Sequence, residues 1–130
     1  MQVKHLSEVS AAPVEMEGAV GCTVRWLVDE RDGAPNFAMR QFEVAPGGHT
    51  PRHQHPYEHE VFVLEGSGMV DGESAPRPLG PGDSVFVPPG ELHQFRNTGT
   101  APLKFLCLVP HAALSTRQSA PSECDGPATS

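Results

Sequence analysis

Four histidines, His53, His55, His59 and His93, are the residues whose type and spacing most clearly predict chemistry in this sequence. The first three all occupy odd positions, so an extended chain would project their side chains to one side, because side chains alternate along a strand. His93 follows a turn-rich segment and can return to the same place only if the chain closes on itself, as in a barrel. Imidazole nitrogen binds zinc, copper, iron and nickel, so the four side chains predict a metal site without naming the element.

Glu60 is the alternative to His59 as the third ligand in order along the chain. A regular strand would place Glu60 on the face opposite His53, His55 and His59, which favours His59. The agreement of all four spacings also favours a site over histidines that are merely solvated on a barrel rim.

The surrounding chain shows the pattern of an all-β protein. Short runs that alternate or are wholly apolar are separated by turns, and the sequence contains 13 glycines and 14 prolines but no convincing helical period. Residues 61–64 are continuously apolar, which predicts a strand buried on both faces. The other predicted strands cover residues 20–28, 37–44, 69–71, 77–79, 84–87, 93–96 and 103–109, with a short edge strand around residues 14–16.

Two motifs that contain the histidines resemble those of the cupin superfamily. Gly47-x5-His53-x-His55-x3-His59-x6-Gly66 resembles the first motif, with His59 in the usual place of a glutamate, and Gly82-x5-Pro88-x-Gly90-x2-His93-x3-Asn97 resembles the second. The likeness covers residues 14–110 and is similar to small single-domain cupins with a tetra-histidine manganese site. It implies a jelly-roll barrel, also called a double-stranded β-helix, with little helix. It also implies one divalent metal per chain, manganese by resemblance, with iron, copper, nickel or zinc as alternatives.

Three further residues are candidates for a catalytic role. Arg40 would either steer an anionic substrate or form an ion pair with Glu43 or Glu58. Tyr57 would either hydrogen-bond a ligand of the metal or cap the barrel mouth. Cys107 is either an oxidisable thiol near the metal or, as its apolar neighbours favour, a small buried hydrophobic residue.

Other polar residues near the motifs are not interpreted as metal ligands. Glu58 and Glu60 are candidates to hold the second ring nitrogen of a ligand histidine, or else are solvated carboxylates. His49 is interpreted as a loop residue, and His5 and His111 as residues of flexible ends.

Composition predicts one compact domain, and the metal site that the motifs imply predicts a small-molecule substrate. The 130 residues suffice for one core, so we expect an irregular lead-in over residues 1–18, a barrel over residues 19–111 and a disordered, Ser/Ala/Thr/Pro-rich tail over residues 112–130. The net charge of −7 disfavours nucleic acid and anionic membranes as partners. Three scattered cysteines and the lack of a signal-like start predict a cytoplasmic protein with reduced thiols, and cupins of this type are commonly homodimers.

Three function classes remain open at this level. The leading expectation is an oxidoreductase that uses dioxygen or peroxide at the metal, in the manner of a dioxygenase. The alternatives are a non-redox metal enzyme, such as an isomerase or polyketide cyclase, and a small-ligand-binding protein without turnover.

Overall fold

The regular secondary structure of the chain is almost all β-strand. The computed structural model describes residues 1–111, and the predicted tail of residues 112–130 lies outside them. Short 3₁₀ turns cover Leu6–Glu8 and Glu30–Asp32, and the prediction of an all-β fold with little helix is confirmed. The strands are β1 (Ala12–Pro13), β2 (Val20–Val28), β3 (Phe37–His49), β4 (His59–Glu65), β5 (Gly68–Asp71), β6 (Arg77–Leu79), β7 (Ser84–Val87), β8 (Gln94–Arg96) and β9 (Leu103–Pro110).

The strands form one curled sheet in which β3 is the organising strand. The sheet order is β6-β5-β8-β3-β9-β4-β7, and β2 pairs with the other edge of β3 and with β1. Most of β3 pairs with β9, whereas its last residue, His49, pairs with Arg96 of β8. This long strand thereby joins the two halves of the barrel wall and brings both histidine segments to one end of it.

The barrel interior is lined by alternate residues of β3 and β9. The two strands are antiparallel, and their register places Arg40 opposite Cys107 and Phe42 opposite Phe105. The rings of Phe42 and Phe105 stack at 5.5 Å. These four side chains are all buried.

The structure moves two predicted strand boundaries. The strand β3 continues through residues 45–49, where a turn was expected, because its end exchanges hydrogen bonds with β8. The predicted edge strand lies at Ala12–Pro13 rather than around residues 14–16.

The apolar run in β4 is not buried on both faces within one chain. Val61 and Val63 are 2% and 0% exposed, but Phe62 and Leu64 retain 43% and 38% of their exposure. The sheet has only one covered face here, so the outward residues stay on the surface. Together with Phe86 of β7, which is 61% exposed, Phe62 and Leu64 form what we call the outer apolar patch.

No helix among residues 1–111 is long and apolar enough to cross a membrane.

We propose that a second copy of the chain covers the outer apolar patch, as in the homodimer expected from the sequence. Contiguous exposed apolar side chains of this size mark contact surfaces, and a two-fold dimer would bury the same patch on both copies. Replacing Phe62 and Phe86 together by Ser should therefore weaken dimerisation at least about tenfold, since each buried aromatic side chain contributes about 1.5–3 kcal/mol.

Sedimentation equilibrium over micromolar concentrations measures this change. The control is Val20→Ser, which alters an apolar residue of similar exposure, 50%, outside the patch. A wild-type protein that sediments only as a 13.9 kDa monomer would contradict the dimer.

Candidate metal centre

Backbone hydrogen bonds bring the two histidine segments together. His53 and His93 form an antiparallel bridge, in which each amide donates to the carbonyl of the other at 3.1 and 3.0 Å. The amide of Gly90 donates to the carbonyl of His55 at 2.8 Å, and the positive φ of 81° at Gly90 allows the turn that places it there. The four predicted ligands are therefore brought to one place, as the motifs imply.

The convergence does not come from an extended segment, as the odd numbering of the histidines suggested. The chain bends at Pro56 and Tyr57, and only His59 lies within a regular strand. His53 lies in the isolated bridge and His55 in the loop between them. Proline disfavours continuation of a paired strand, so the bend is encoded between the second and third histidines.

Three of the rings are oriented by backbone carbonyls. Nδ1 of His53 lies 2.9 Å from the carbonyl oxygen of Pro51, Nδ1 of His55 lies 3.1 Å from that of Tyr57, and Nδ1 of His93 lies 2.9 Å from that of Glu91. A carbonyl oxygen can only accept, so each Nδ1 carries the hydrogen and each Nε2 keeps its lone pair. Neutral imidazoles in this form are ready to ligate a metal through Nε2.

The donor set fits a divalent metal ion. Nε2 atoms of His53, His55 and His59 are buried and have no hydrogen-bond partner in the structure. Buried polar atoms without a partner are costly and call for a ligand. Potential ligand atoms of His53, His55 and His93 lie within 4.8 Å of one another, close enough for one ion.

His59 lies against this trio and differs from it in one respect. Its ring is 4% exposed and stacks on His55 at 4.2 Å, with a centroid 5.4 Å from His93. Its Nδ1 faces the sulfur of Cys107 at 3.3 Å rather than a carbonyl. Its role as the fourth ligand stays a prediction.

The two glutamates near the site lie outside the barrel. Glu60 is exposed on the face opposite His59, where it pairs in register with Phe86 and Leu108. Glu58 is also exposed, and the two carboxyl groups hydrogen-bond each other. The prediction that they hold ring nitrogens of ligand histidines is wrong for the three rings that carbonyls orient.

The candidates Arg40, Tyr57 and Cys107 are all buried beside the histidines. Tyr57 stacks on His55 at 3.9 Å with nearly parallel rings, so it supports the ring as well as supplying the carbonyl that orients it. Arg40 is 0% exposed, and its guanidinium donates to Cys107 at 3.1 Å and lies over Phe42 and Trp26 at 4.9 and 5.3 Å. A buried cation on aromatic faces adds a fixed positive charge to this wall of the barrel.

The enclosed space at the site is very small. A cavity of about 20 Å³ remains inside the barrel. That volume holds about one water molecule. Its walls are formed by Arg40, Phe42, Thr50, His53, His59, His93, Phe95, Phe105 and Cys107.

Burial keeps the site neutral apart from Arg40. It lowers the pKa of His53 to about 4 and, with the nearby His53 and His93, that of His55 to about 3. It also lowers the pKa of His59 and of His93 below the ordinary value. Burial raises the pKa of the Cys107 thiol, against the opposing effect of Arg40.

Sequence reasoning missed the supporting residues. Pro51 and Glu91 each orient the histidine two positions later through a carbonyl, a spacing that was visible but carried no side-chain signal. Trp26 pairs across β2 and β3 with Arg40, which required the strand register. Thr50 lines the cavity and also bonds Phe95 through its amide and hydroxyl.

Comparison with known proteins gives one family match. The family model described as "Cupin domain" matches residues 40–109, which include most of β3, both histidine segments and nearly all of β9. The matched segment is thus the part of the chain that builds the site.

Individual relatives have varied names. The chain is 37% identical over 87 residues to 1-methylthio-D-xylulose 5-phosphate methylsulfurylase of Rhodospirillum rubrum, covering 67% of this chain and 54% of that protein. It is 40% identical over 68 residues to protein SchB of Streptomyces halstedii, covering 52% and 49%. The chain thus spans about half the length of these curated relatives.

Among solved structures, the polyketide cyclase RemF from Streptomyces resistomycificus superposes with a TM-score of 0.81 at 39% identity. The superposition covers 85% of this chain and 80% of that one. The predicted single-domain barrel is confirmed by this likeness.

The ligand assignment can be tested by paired substitutions. His59→Ala should lower the metal content per chain far more than Glu60→Ala, because His59 faces the trio and Glu60 faces solvent. His49→Ala, which alters a half-buried histidine outside the motif positions, is the matched control. Elemental analysis after dialysis against a weak chelator gives the stoichiometry. Equal losses for His59→Ala and Glu60→Ala would contradict the assignment.

The lowered pKa values predict how stability depends on pH. Unfolded histidine titrates near 6.5, so below that pH the unfolded metal-free chain binds protons that the folded chain refuses. The free energy of unfolding should be constant above about pH 6.5 and fall as the pH drops towards 4, by about 3 kcal/mol for His53 alone. Metal should accordingly be retained below pH 6.5, rather than released there as free histidine would predict.

Denaturant unfolding of the metal-free protein at several pH values measures this dependence. His55→Gln should flatten the slope, whereas replacement of the exposed His5 by Ala should leave it unchanged. Stability that does not vary between pH 7 and pH 4 would rule out the buried neutral histidines.

Proposed function

Because the chain belongs to the cupin domain family, we propose that it is a metal-dependent enzyme whose ion is held by His53, His55, His59 and His93. The observation that carries this proposal is the buried Nε2 atoms of the first three of these residues, which have no hydrogen-bond partner. The carbonyls that hold Nδ1 of His53, His55 and His93 support it, since they leave Nε2 of each ring as the donor.

The identity of the ion follows from resemblance more than from the donors. The likeness of the motifs to tetra-histidine cupins implies manganese, whereas imidazole nitrogen also suits zinc, iron, copper and nickel. We propose manganese or zinc as the first two to test, since they separate redox from non-redox chemistry. When bound, the ion would act as a Lewis acid on an oxygen atom of the substrate, and manganese would add a redox function.

The chain's own residues set the electrostatics of the centre. Four neutral imidazoles add no negative charge, and the buried guanidinium of Arg40 adds a positive one. The site therefore favours a substrate with an anionic or enolisable oxygen. Burial also removes competing water, which strengthens the interaction of these groups with such an oxygen.

The size of the cavity limits how a substrate binds. The space of about 20 Å³ beside the histidines holds about one water molecule, so a substrate would enter it only with a small group. We propose that the substrate presents one oxygen-bearing group to the histidine cluster. We propose a small oxygen-rich compound, of the size of an aromatic ring system or smaller.

Two reaction types remain, and the comparisons change their order. The motifs alone favoured oxidation by dioxygen or peroxide, whereas the likeness to a polyketide cyclase favours a non-redox reaction such as cyclisation or isomerisation. Oxidation stays the second candidate because the resemblance of the motifs to tetra-histidine manganese cupins favours an ion that can change its redox state. Binding without turnover is the third.

Metal exchange distinguishes these candidates. Protein loaded with zinc, which has no accessible redox change, should turn over a responsive member of a panel of oxygen-rich aromatic and hydroxy-keto compounds at least as fast as manganese-loaded protein. Product analysis and oxygen uptake are measured together, with His93→Ala as the control that removes one ligand.

Other results of the metal-exchange experiment would support a different function. Turnover only with manganese, iron or copper, accompanied by oxygen uptake, would establish the oxidoreductase instead. Binding of panel members without turnover with any metal would favour the ligand-binding protein.

A further inference from the structure

One ring of the histidine cluster is oriented differently from the other three. His53, His55 and His93 each donate from Nδ1 to a backbone carbonyl, which fixes the hydrogen on that nitrogen. Nδ1 of His59 instead faces the sulfur of Cys107 at 3.3 Å. A thiol can both donate and accept, so this partner does not by itself fix where the hydrogen of His59 lies.

The hydrogen bond from Arg40 limits how the sulfur of Cys107 can interact with His59. A guanidinium can only donate, so the sulfur accepts from Nη2 of Arg40 at 3.1 Å. The thiol hydrogen can then point to Nδ1 of His59, which places the ring hydrogen on Nε2 and blocks metal binding there. Alternatively it points away, Nδ1–H of His59 donates to the sulfur, and Nε2 is free to ligate.

The three side chains are almost fully buried. Arg40, His59 and Cys107 are 0%, 4% and 2% exposed. The strand register explains their alignment, because Cys107 on β9 lies between Arg40 on β3 and Val61 on β4, one inward position beyond His59. The sulfur is therefore a built part of the cluster rather than an isolated thiol.

We propose that Cys107 is the positioning residue whose contact with Nδ1 allows His59 to adopt either tautomer, and that this contact controls whether His59 joins the other three histidines as a metal ligand. The inference rests on the proposed metal centre. The trio of His53, His55 and His93 forms the fixed part of the site, and His59 is its conditional member. The change of tautomer moves one hydrogen between the two ring nitrogens and alters no net charge.

Substitution of the sulfur tests the proposal through metal affinity. Cys107→Ala removes the partner of Nδ1 and should weaken zinc binding about 10- to 100-fold, the usual effect of losing a group that orients a metal ligand. Cys107→Ser keeps a group that donates and accepts, and should restore most of the affinity. Cys22→Ala is the matched control, because Cys22 is equally buried but its sulfur contacts only the carbonyls of Val20 and His49.

The second measurement is the tautomer itself, read from nitrogen-15 NMR of the histidine rings. Zinc-bound wild type should show Nδ1–H on all four ligand rings. In zinc-bound Cys107→Ala only the His59 signals should change, whereas a general loss of structure would move all four. In metal-free wild type His59 should show a population of the Nε2–H form that the other three rings lack.

The outcomes separate this inference from the proposal on which it rests. Wild type that fails to bind any divalent metal overturns both. Wild type that binds zinc, with unchanged affinity and unchanged His59 signals in Cys107→Ala, overturns only the role of Cys107. An equal loss of affinity in Cys22→Ala, or no recovery in Cys107→Ser, would also overturn it.

Discussion

The histidine cluster depends above all on the backbone carbonyls that hold Nδ1 of His53, His55 and His93. A buried imidazole with a free nitrogen is costly, and it persists only where the surrounding chain fixes its orientation. The bridge between His53 and His93 and the bond from Gly90 to His55 supply that constraint, because they lock the two loops whose carbonyls face the rings. The barrel strands serve chiefly to hold these loops in register.

The fold and the histidine cluster could be predicted from the sequence because both depend on the types and spacing of side chains. Strand alternation identified the inward faces of β3 and β9, and histidine spacing identified the side chains that meet. The orienting groups are main-chain atoms of Pro51, Tyr57 and Glu91, which carry no side-chain signal. The contact between Cys107 and His59 depends on the register of distant strands, which local patterns do not specify.

The apolar run in β4 illustrates the same limit of local patterns. A continuous apolar run was expected to be buried on both sides, but Phe62 and Leu64 face outward from a sheet that one chain covers only on its inner side. A sequence reports that a surface is apolar without reporting which molecule covers it. Val61 and Val63 are covered within the single chain, whereas the outer apolar patch is the surface that we propose a second copy covers.

The burial of Cys107 beside the small cavity affects how readily its thiol reacts. Cys107 is 2% exposed, and the space beside it has a volume of about 20 Å³. A large reductant or alkylating reagent should therefore reach this sulfur more slowly than it reaches a cysteine on the surface. Burial also raises the pKa of the thiol, which keeps it in the protonated, less reactive form.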